Sequence, residues 1–358
     1  MIDPVRFAYV GCGFVGQTIH IPNFASLPGC RFLALAEVRS DLGREVATRH
    51  GIPKVYRSHE EIAADPEIEA VGVSGPYALQ GKIAEDLLLA GKHVFMEKPM
   101  AVSVRRAESM IEAARTGHAR LMVGYMKRYD SGNLLLQKHL EAWRASGECG
   151  RLMLARNHGF GGNWLYGGDP NVPFSRSSAA APTAPDECPD WLPENWRSSY
   201  LGFLQQWTHN INLLRFFLGD TGGKARLVHT HLDRDGMTGV TILEINGTRA
   251  VLESGYARFH GWDEHTQIYF EGGWLKTNAP PLVQKEVPAS VEIYRAGDQD
   301  VPPRLIQEFP APSWSYREEA KSFLACVRSG EAFRASAEDT LNDVRLIEDI
   351  YRQVIASN

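Results

Sequence analysis

The sequence predicts two α/β domains: a doubly wound parallel sheet over residues 1–125, then a mostly antiparallel open sheet with helices on one face over residues 126–358. Three observations predict this. Short apolar runs alternate with helical patterns up to about residue 125. Beyond that point, strand-like runs follow one another. The 358 residues are 44% hydrophobic and 23% charged, which is enough material for two ordinary globular domains.

The first domain opens with a short apolar strand, residues 5–10, which ends in a glycine-rich turn. Such a run is typical of a buried parallel strand, and a helix is expected from about Val15. The alternation then repeats along the chain. We predict strands at 31–38, 70–74, 93–96 and 120–125, and helices at 41–50, 79–90 and 104–116.

The pattern of the second domain is different, because its apolar runs are separated by turns more often than by helices. Asn246-Gly247 between two of these runs is a strong hairpin signal. The remaining helices are expected at 315–327 and 337–356. We predict strands at 152–160, 227–232, 240–245, 249–256, 267–270 and 291–294.

The glycine-rich turn has the spacing G-x-G-x-x-G, directly after a strand and before a helix. It consists of Gly11, Gly13 and Gly16, with Phe14 and Val15 in the second gap. Glycines here permit a tight turn, and the backbone N–H groups at the start of the helix face a pyrophosphate. The turn therefore predicts a dinucleotide-binding Rossmann domain.

An acidic residue follows this turn at the expected distance. Glu37 comes 21 positions after Gly16, at the end of the second predicted strand. An acid there binds the adenosine ribose hydroxyls and repels a 2′-phosphate. NAD is therefore favoured over NADP, although Arg39 two residues later is able to reach a phosphate.

Composition and charge argue against several other functions. The net charge is −5, without the basic balance that is typical of nucleic-acid binders. No apolar run approaches the roughly 18 residues that a membrane helix needs, and the first residues lack a signal-peptide layout, so we expect a cytoplasmic protein. The five scattered cysteines suit free thiols. His229 and His231 have no third ligand at a suggestive spacing, so no metal is predicted.

Further motifs follow the glycine-rich turn along the chain. Residues 90–99, Ala-Gly-Lys-His-Val-Phe-Met-Glu-Lys-Pro, are similar to the A-G-K-H-V-x-x-E-K-P of the glucose–fructose oxidoreductase and inositol dehydrogenase (Gfo/Idh/MocA) family. Residues 74–80 resemble its T-P-x-x-x-H loop, with Ser74, Pro76 and, at the histidine position, Gln80. Residues 124–129 and 336–339 also resemble family segments, and the likeness covers nearly the whole chain.

The family carries D-x-x-x-H on a helix of its second domain, often with an acid three residues later. Residues 205–212 occupy that place, and His209 matches the histidine. Gln205 stands at the aspartate position and Asn212 at the later acid. Residues four apart share one helix face, so Gln205 can line the site beside His209, but it contributes no negative charge.

The resemblance implies oxidation of a secondary alcohol of a sugar or cyclitol, or the reverse reduction, with NAD as hydride carrier. Lys98 is the preferred base and polarises the hydroxyl, and His209 is the second candidate. Substrate-binding residues are then Lys98, Tyr125, Arg128, Trp164, Gln205 and His209. Cofactor-binding residues are Gly11, Gly13, Phe14, Val15, Gly16, Glu37, Arg39, Ser74, Pro76, Gln80, Glu97, Lys98 and Arg128.

Residues 161–200 form an unusually long stretch of loop composition, and such loops are usually functional or disordered. Aromatic faces stack on sugar rings, and acids suit an amino-bearing sugar. A likeness to dehydrogenases of aminoglycoside biosynthesis points the same way, and a solvated loop or an oligomer contact is the alternative. The stretch contains the aromatic residues Trp164, Tyr166, Trp191 and Trp196 and the acids Asp169, Asp186, Glu187, Asp190 and Glu194.

Two other functions stay open at this level. The same family contains glycosidases that hold NAD and recycle it within each turnover, and cofactor-binding regulators without catalysis. Lys98 and His209 argue against a regulator, whereas net NADH production separates a dehydrogenase from a redox-recycling hydrolase. The exposed face of an open antiparallel sheet favours a homodimer or homotetramer.

Overall fold

The computed structural model describes residues 3–169, 171–181, 183–185, 187–257 and 261–357, so Asp186 lies outside the described residues. The chain divides into two compact units. The first contains the chain up to Tyr125 together with Asn171–Leu192 and Tyr316–Val344. The second contains Met126–Pro170, Pro193–Ser315 and the chain from Arg345 onward. Residue 125 is therefore the first of several points at which the chain passes from one unit to the other.

The first unit is built on a six-stranded sheet in the order β3-β2-β1-β4-β5-β6, with parallel neighbours throughout. This order confirms the predicted doubly wound sheet. The short strand β3 was not predicted. The strands are β1 (Val5–Val10), β2 (Cys30–Ala36), β3 (Lys54–Tyr56), β4 (Ala70–Val73), β5 (His93–Glu97) and β6 (Leu121–Gly124).

Helices connect these strands as the alternation predicts. The helix after the glycine-rich turn opens with a π-helical turn (Gly16–His20), a form in which one residue is added to each turn. Gly91 and Ser103 mark the predicted end and start of two helices: Gly91 is left-handed, and the Ser103 hydroxyl accepts a backbone N–H in the first turn. The helices are α1 (Ile21–Ala25), α2 (Ser40–His50), α3 (His59–Ala64), α4 (Tyr77–Leu89) and α5 (Val104–Thr116).

The second unit contains an eight-stranded sheet in the order β14-β13-β12-β11-β7-β10-β9-β8. Its neighbours are antiparallel except for β7 and β10, so the sheet is mostly antiparallel as predicted. The strands are β7 (Leu152–Gly162), β8 (Arg226–Leu232), β9 (Gly239–Ile245), β10 (Thr248–Ser254), β11 (Trp262–Phe270), β12 (Gly273–Asn278), β13 (Ser290–Arg295) and β14 (Arg304–Glu308).

The hairpin signal in this sheet is confirmed. β9 and β10 pair directly across Asn246 and Gly247, whose φ angles of 49° and 75° suit the tight hairpin turn that such a pair forms. Two helices, α6 (Ser131–Ser146) and α7 (Arg197–Phe217), pack on the sheet. The sequence did not predict α6, β12 or β14.

Two helices close the chain, as predicted: α8 (Ser315–Ser329) and α9 (Ala337–Ser357). In the first unit, α8 places Phe323 among aromatic rings of β5 and α1. Its ring lies 5.7 Å from the ring of Phe95 and 6.3 Å from that of Phe24. No described helix combines the length and the apolar character that crossing a membrane requires.

Candidate active site

The glycine-rich turn lies at the carboxyl end of β1 and is held tightly against the end of β4. Gly11 has a φ of 99°, and a Cβ added there would lie 2.0 Å from the carbonyl oxygen of Ser74. A Cβ on Gly16 would lie 2.6 Å from the Gly11 oxygen. A Cβ on Gly13 would meet no atom within 4 Å, which leaves this side of the turn open. Two glycines therefore serve close packing, and the third leaves room for a ligand to approach the backbone.

Glu37 follows β2 directly and lies beside this turn. Its Oε2 accepts the backbone N–H of Cys12 at 2.8 Å. The guanidinium of Arg39 donates to both of its oxygens, at 2.7 and 3.0 Å. Burial opposes ionisation of this carboxyl, but the hydrogen bonds from Arg39 and Cys12 prevail and lower the pKa of Glu37. Glu37 is therefore a carboxylate at neutral pH, and Arg39 is engaged in pairing with it.

Lys98 follows β5 in the turn Glu97-Lys98-Pro99, whose Lys98–Pro99 peptide is cis. The buried side chain of Gln80 donates to the backbone oxygens of Glu97 and Pro99, at 2.6 and 3.3 Å. The Lys98 N–H donates to Oε2 of Glu97 at 3.1 Å. Lys98 itself is half-buried. Gln80, predicted to bind the cofactor, thus also fixes the turn that carries Lys98.

A dinucleotide fits these residues. The open side of Gly13 and the carboxylate of Glu37 lie at the carboxyl end of a parallel sheet, where doubly wound sheets bind ligands. The buried Oε1 of Gln80 has no hydrogen-bond partner among the described residues, which leaves an acceptor for a ligand.

Part of the long 161–200 stretch belongs to this unit. The rings of Phe174 and Phe14 lie 5.5 Å apart, edge to face. The side-chain amide of Gln17 donates to the Ser175 oxygen at 3.0 Å and accepts the Ser175 N–H at 2.9 Å. The Ser177 hydroxyl donates to Asp41 at the start of α2. This end of the segment is therefore tied to residues that follow β1 and β2.

The other end of the segment is tied to residues that follow β5. Glu187 receives two hydrogen bonds from Arg106 in the first turn of α5, and Arg106 also pairs with Glu85 of α4. The hydrogen bonds from Arg106 lower the pKa of Glu187. Ser175, Ser177 and Glu187 thus contact elements that follow strands of the parallel sheet at their carboxyl ends. The sequence offered no signal for this placement.

In the second unit, α7 carries the residues that the family resemblance singles out. His209 is buried and Gln205 is exposed, four residues apart on this helix. The guanidinium of Arg128 donates to Oδ1 of Asn212 at 2.6 Å, and both side chains are buried. Trp164 lies half-buried in the turn after β7. Tyr125 is buried at the end of β6 in the first unit.

A buried polar network surrounds the middle of α7, and the sequence did not predict it. Lys127 pairs with Glu264 of β11, and both side chains are almost fully buried. Asn210 of α7 donates to Oε1 of Glu264 at 3.2 Å and to Asn157 of β7 at 2.7 Å. Trp262 donates to the other Glu264 oxygen at 3.0 Å. Glu264 is thus a buried carboxylate that accepts hydrogen bonds from three donors. It lies on β11 ahead of residues 267–270, the only part of that strand that was predicted.

The chain is similar in sequence to dehydrogenases of inositols. A sequence model described as "Oxidoreductase family, NAD-binding Rossmann fold" matches residues 5–125. Myo-inositol 2-dehydrogenase of Thermotoga maritima is 24% identical over 344 residues, which cover 94% of this chain and 92% of that protein. Inositol 2-dehydrogenase of Rhizobium meliloti is 22% identical over 361 residues, covering 98% and 97%. The resemblance thus extends through both units.

Solved structures share the fold. The 3-ketoreductase KijD10 of Actinomadura kijaniata, solved with NADP and TDP-benzene, superposes with a TM-score of 0.72 at 20% identity and 98% coverage of each chain. The aldose-aldose oxidoreductase of Caulobacter crescentus gives 0.74 at 21% identity and 99% coverage of each chain. Residues 5–125 therefore match the Rossmann domain of the Gfo/Idh/MocA oxidoreductases, which the motifs resemble, and the whole chain shares the fold of these solved structures.

Proposed function

We propose that the protein is an NAD-dependent dehydrogenase that moves a hydride between the nicotinamide and a secondary hydroxyl or ketone of a sugar or cyclitol. The observation that carries the proposal is the position of Lys98. It follows β5 at the carboxyl edge of the parallel sheet, in a turn held by Gln80 and Glu97. The glycine-rich turn lies at the same edge, after β1.

The bound cofactor supplies the hydride chemistry, and the protein supplies position and proton transfer. Lys98 takes the hydroxyl proton when the alcohol is oxidised and returns it when the ketone is reduced. A lysine serves as general base only when its pKa lies near the working pH, which burial and a neighbouring positive charge both favour. His209 hydrogen-bonds the reacting oxygen or shares its proton. Gln205 contributes a neutral hydrogen bond.

The choice of NAD rests on Glu37. A 2′-phosphate approaching this carboxylate meets a like charge, whereas the two ribose hydroxyls of NAD can donate to it. NADP in the KijD10 structure shows that a relative of this fold uses the phosphorylated form. In this chain Arg39 would have to leave Glu37 to bind that phosphate, so NAD is the preferred cofactor.

The substrate class follows from the relatives and from the second unit. The names of the relatives include inositol dehydrogenases and a 3-ketoreductase. Trp164 suits a sugar ring, because an aromatic face stacks on such a ring, and Asp169 five residues later suits an amino group, because a carboxylate pairs with an ammonium. We therefore include aminoglycosides among the candidates. A homodimer or homotetramer and a cytoplasmic location stay predictions.

The test is to mix the protein with excess NAD and, separately, with NADH and the matching ketones, across neutral sugars, inositols, amino sugars and aminoglycosides. Absorbance of the reduced nicotinamide is followed in each case. If one class of compound is turned over, with several equivalents of cofactor converted per enzyme, the result supports the dehydrogenase and identifies its substrate class. Proven NAD binding without net redox in either direction would contradict it. Glycoside cleavage without net NADH would then indicate the redox-recycling hydrolase, and neither activity would indicate a regulator.

A further inference from the structure

Three ionisable side chains meet in the interior of the first unit, behind the turn that carries Lys98. His20 comes from the π-helical turn after the glycine-rich loop, Glu97 from the end of β5, and Glu319 from α8. One ligand-type atom of each lies within 4.8 Å of the other two. The His20 Nε2 and an oxygen of Glu97 are 2.6 Å apart, which is the distance of a charge-assisted hydrogen bond.

Glu319 is the unexplained member of this group. Its side chain is fully buried, and neither carboxyl oxygen has a hydrogen-bond partner among the described residues. The second ring nitrogen of His20, Nδ1, is also buried and has no partner there. A buried polar atom without a partner is costly, and the presence of such atoms on two members of one cluster suggests that the two side chains can satisfy each other.

The charges of the cluster decide which proton is present. Two carboxylates beside a neutral imidazole would place two negative charges together in the interior, which is strongly unfavourable. The other titratable groups that face Glu319 are the phenols of Tyr9 and Tyr316, which add no positive charge. Burial, reinforced by the charge of Glu97, raises the pKa of the Glu319 carboxyl well above its ordinary value. Protonation of Glu319 leaves a single negative charge, on Glu97, beside a neutral imidazole.

We propose that Glu319 is a neutral carboxylic acid that donates a hydrogen bond to the unprotonated Nδ1 of His20, so that the neutral imidazole donates its Nε2–H to the Glu97 carboxylate and thereby positions the backbone of Lys98. The last link is already formed, because Oε2 of Glu97 accepts the Lys98 N–H at 3.1 Å. Glu319 and His20 are positioning residues. This role rests on the proposed function of Lys98, whereas the proton on Glu319 does not.

Histidine and glutamate side chains also bind metal ions, but the distances among these three residues favour a proton over a metal ion. Two ligands of one tetrahedral zinc lie about 3.3 Å apart, given bonds of about 2.0–2.1 Å. The 2.6 Å contact between His20 and Glu97 is shorter than this. A cation held by these groups would also require an ionised Glu319.

The experiment compares Glu319→Gln with Glu319→Met in the full chain. Both replacements are neutral and of similar length, but only glutamine retains a donor for His20. Exchange of the Lys98 amide hydrogen is measured first, because that N–H is bonded to Glu97. We expect wild-type exchange in Glu319→Gln and about tenfold faster exchange in Glu319→Met. The turnover number should fall by a similar factor only in Glu319→Met, with the KM for NAD unchanged.

Infrared spectroscopy at pH 7 tests the proton directly. The wild type should show the carbonyl stretch of a protonated carboxyl group that disappears in Glu319→Gln, and this holds whether or not Glu319→Met folds. Absence of that band, or a stoichiometric metal that Glu319→Gln loses, would overturn the neutral acid. Equal Lys98 exchange in a folded Glu319→Met and wild type would overturn the positioning role. Failure to find any substrate would count against the proposed function alone, since exchange and infrared need none.

Discussion

The carboxyl edge of the parallel sheet and the buried network around α7 both hold candidate site residues, but they are built in different ways. At the sheet edge, the backbone holds the site residues in place. Gly11 and Gly16 have no room for a Cβ, the turn that carries Lys98 is held through its carbonyl groups, and the Glu37 carboxylate accepts backbone N–H groups. Around α7, side chains hold one another. Lys127, Asn210 and Trp262 converge on Glu264 from three separate segments.

This difference predicts which replacements should lower activity and which should lower stability. Lys98 at the sheet edge is only half-buried, so replacing its side chain should cost activity more than stability. Glu264 and Lys127 are almost fully buried, and each is the other's counter-charge. Replacing one of them should cost stability first, because an unpaired charge is left in the interior.

The largest expected effect is at the sheet edge. Lys98→Ala should lower kcat by about 10²–10⁴-fold, because the group that moves the proton is gone, while NAD binding stays nearly intact. Steady-state kinetics with the identified substrate and a titration of NAD measure the two quantities. Lys82→Ala, an exposed lysine on α4, is the control and should turn over normally. Near-normal turnover in Lys98→Ala would remove the assignment.

The buried network should respond in the opposite manner. Glu264→Ala should lower the free energy of unfolding by about 3–5 kcal/mol, because Lys127 then lies buried without a counter-charge. Denaturant unfolding measures this. Glu244→Ala breaks an exposed pair with Arg226 and should cost less than about 1 kcal/mol. The double replacement Lys127→Met and Glu264→Leu should be less destabilised than Glu264→Ala. Equal losses of unfolding free energy in Glu264→Ala and Glu244→Ala would contradict the expected difference between a buried and an exposed ion pair.

A third test concerns the pH dependence of stability. The pKa of Glu319 in the folded protein is raised above its ordinary value of 4.5. Below pH 4.5 the carboxyl is protonated in both states. As pH rises, only the unfolded chain loses this proton, so the wild type loses stability until the folded group ionises. Glu319→Gln escapes that loss and should become progressively more stable than wild type, by at most about 1.4 kcal/mol per pH unit. A pH-independent difference in Tm would contradict this.

The smallest expected effect concerns the choice of cofactor. Glu37→Ser should shift the ratio of kcat/KM values toward NADP by about tenfold, or about 1.4 kcal/mol, because the repulsion of a 2′-phosphate is removed and Arg39 is released. Adding Arg39→Ala to Glu37→Ser should reverse part of that gain. An unchanged ratio in Glu37→Ser would show that Glu37 serves only to support the turn.

The same contrast explains what the sequence could predict. Gly11, Glu37 and Lys98 were predicted as site residues because a backbone motif requires particular residues at particular spacings. Glu264, His20 and Glu319 were not predicted because their ionisable partners come from distant segments, and nothing near them in the sequence marks a buried charge. The doubly wound sheet was predicted from its alternation, whereas β3, β12 and β14 were too short or too polar to stand out. The return of residues 171–192 to the first unit depends on Ser175 and Glu187, ordinary loop residues by sequence.

The make-up of the first unit has a consequence for biosynthesis. When residue 125 leaves the ribosome, all six strands of the parallel sheet have been made, yet Phe24 and Phe95 still lack the ring of Phe323, and Glu97 and His20 lack Glu319. Those partners are made only with α8, which begins at Ser315. Domains commonly complete their folding in the order of synthesis. Here the nascent sheet must keep an uncovered aromatic face until α8 has been made, and a fragment ending at residue 125 should be aggregation-prone rather than a stable cofactor-binding module.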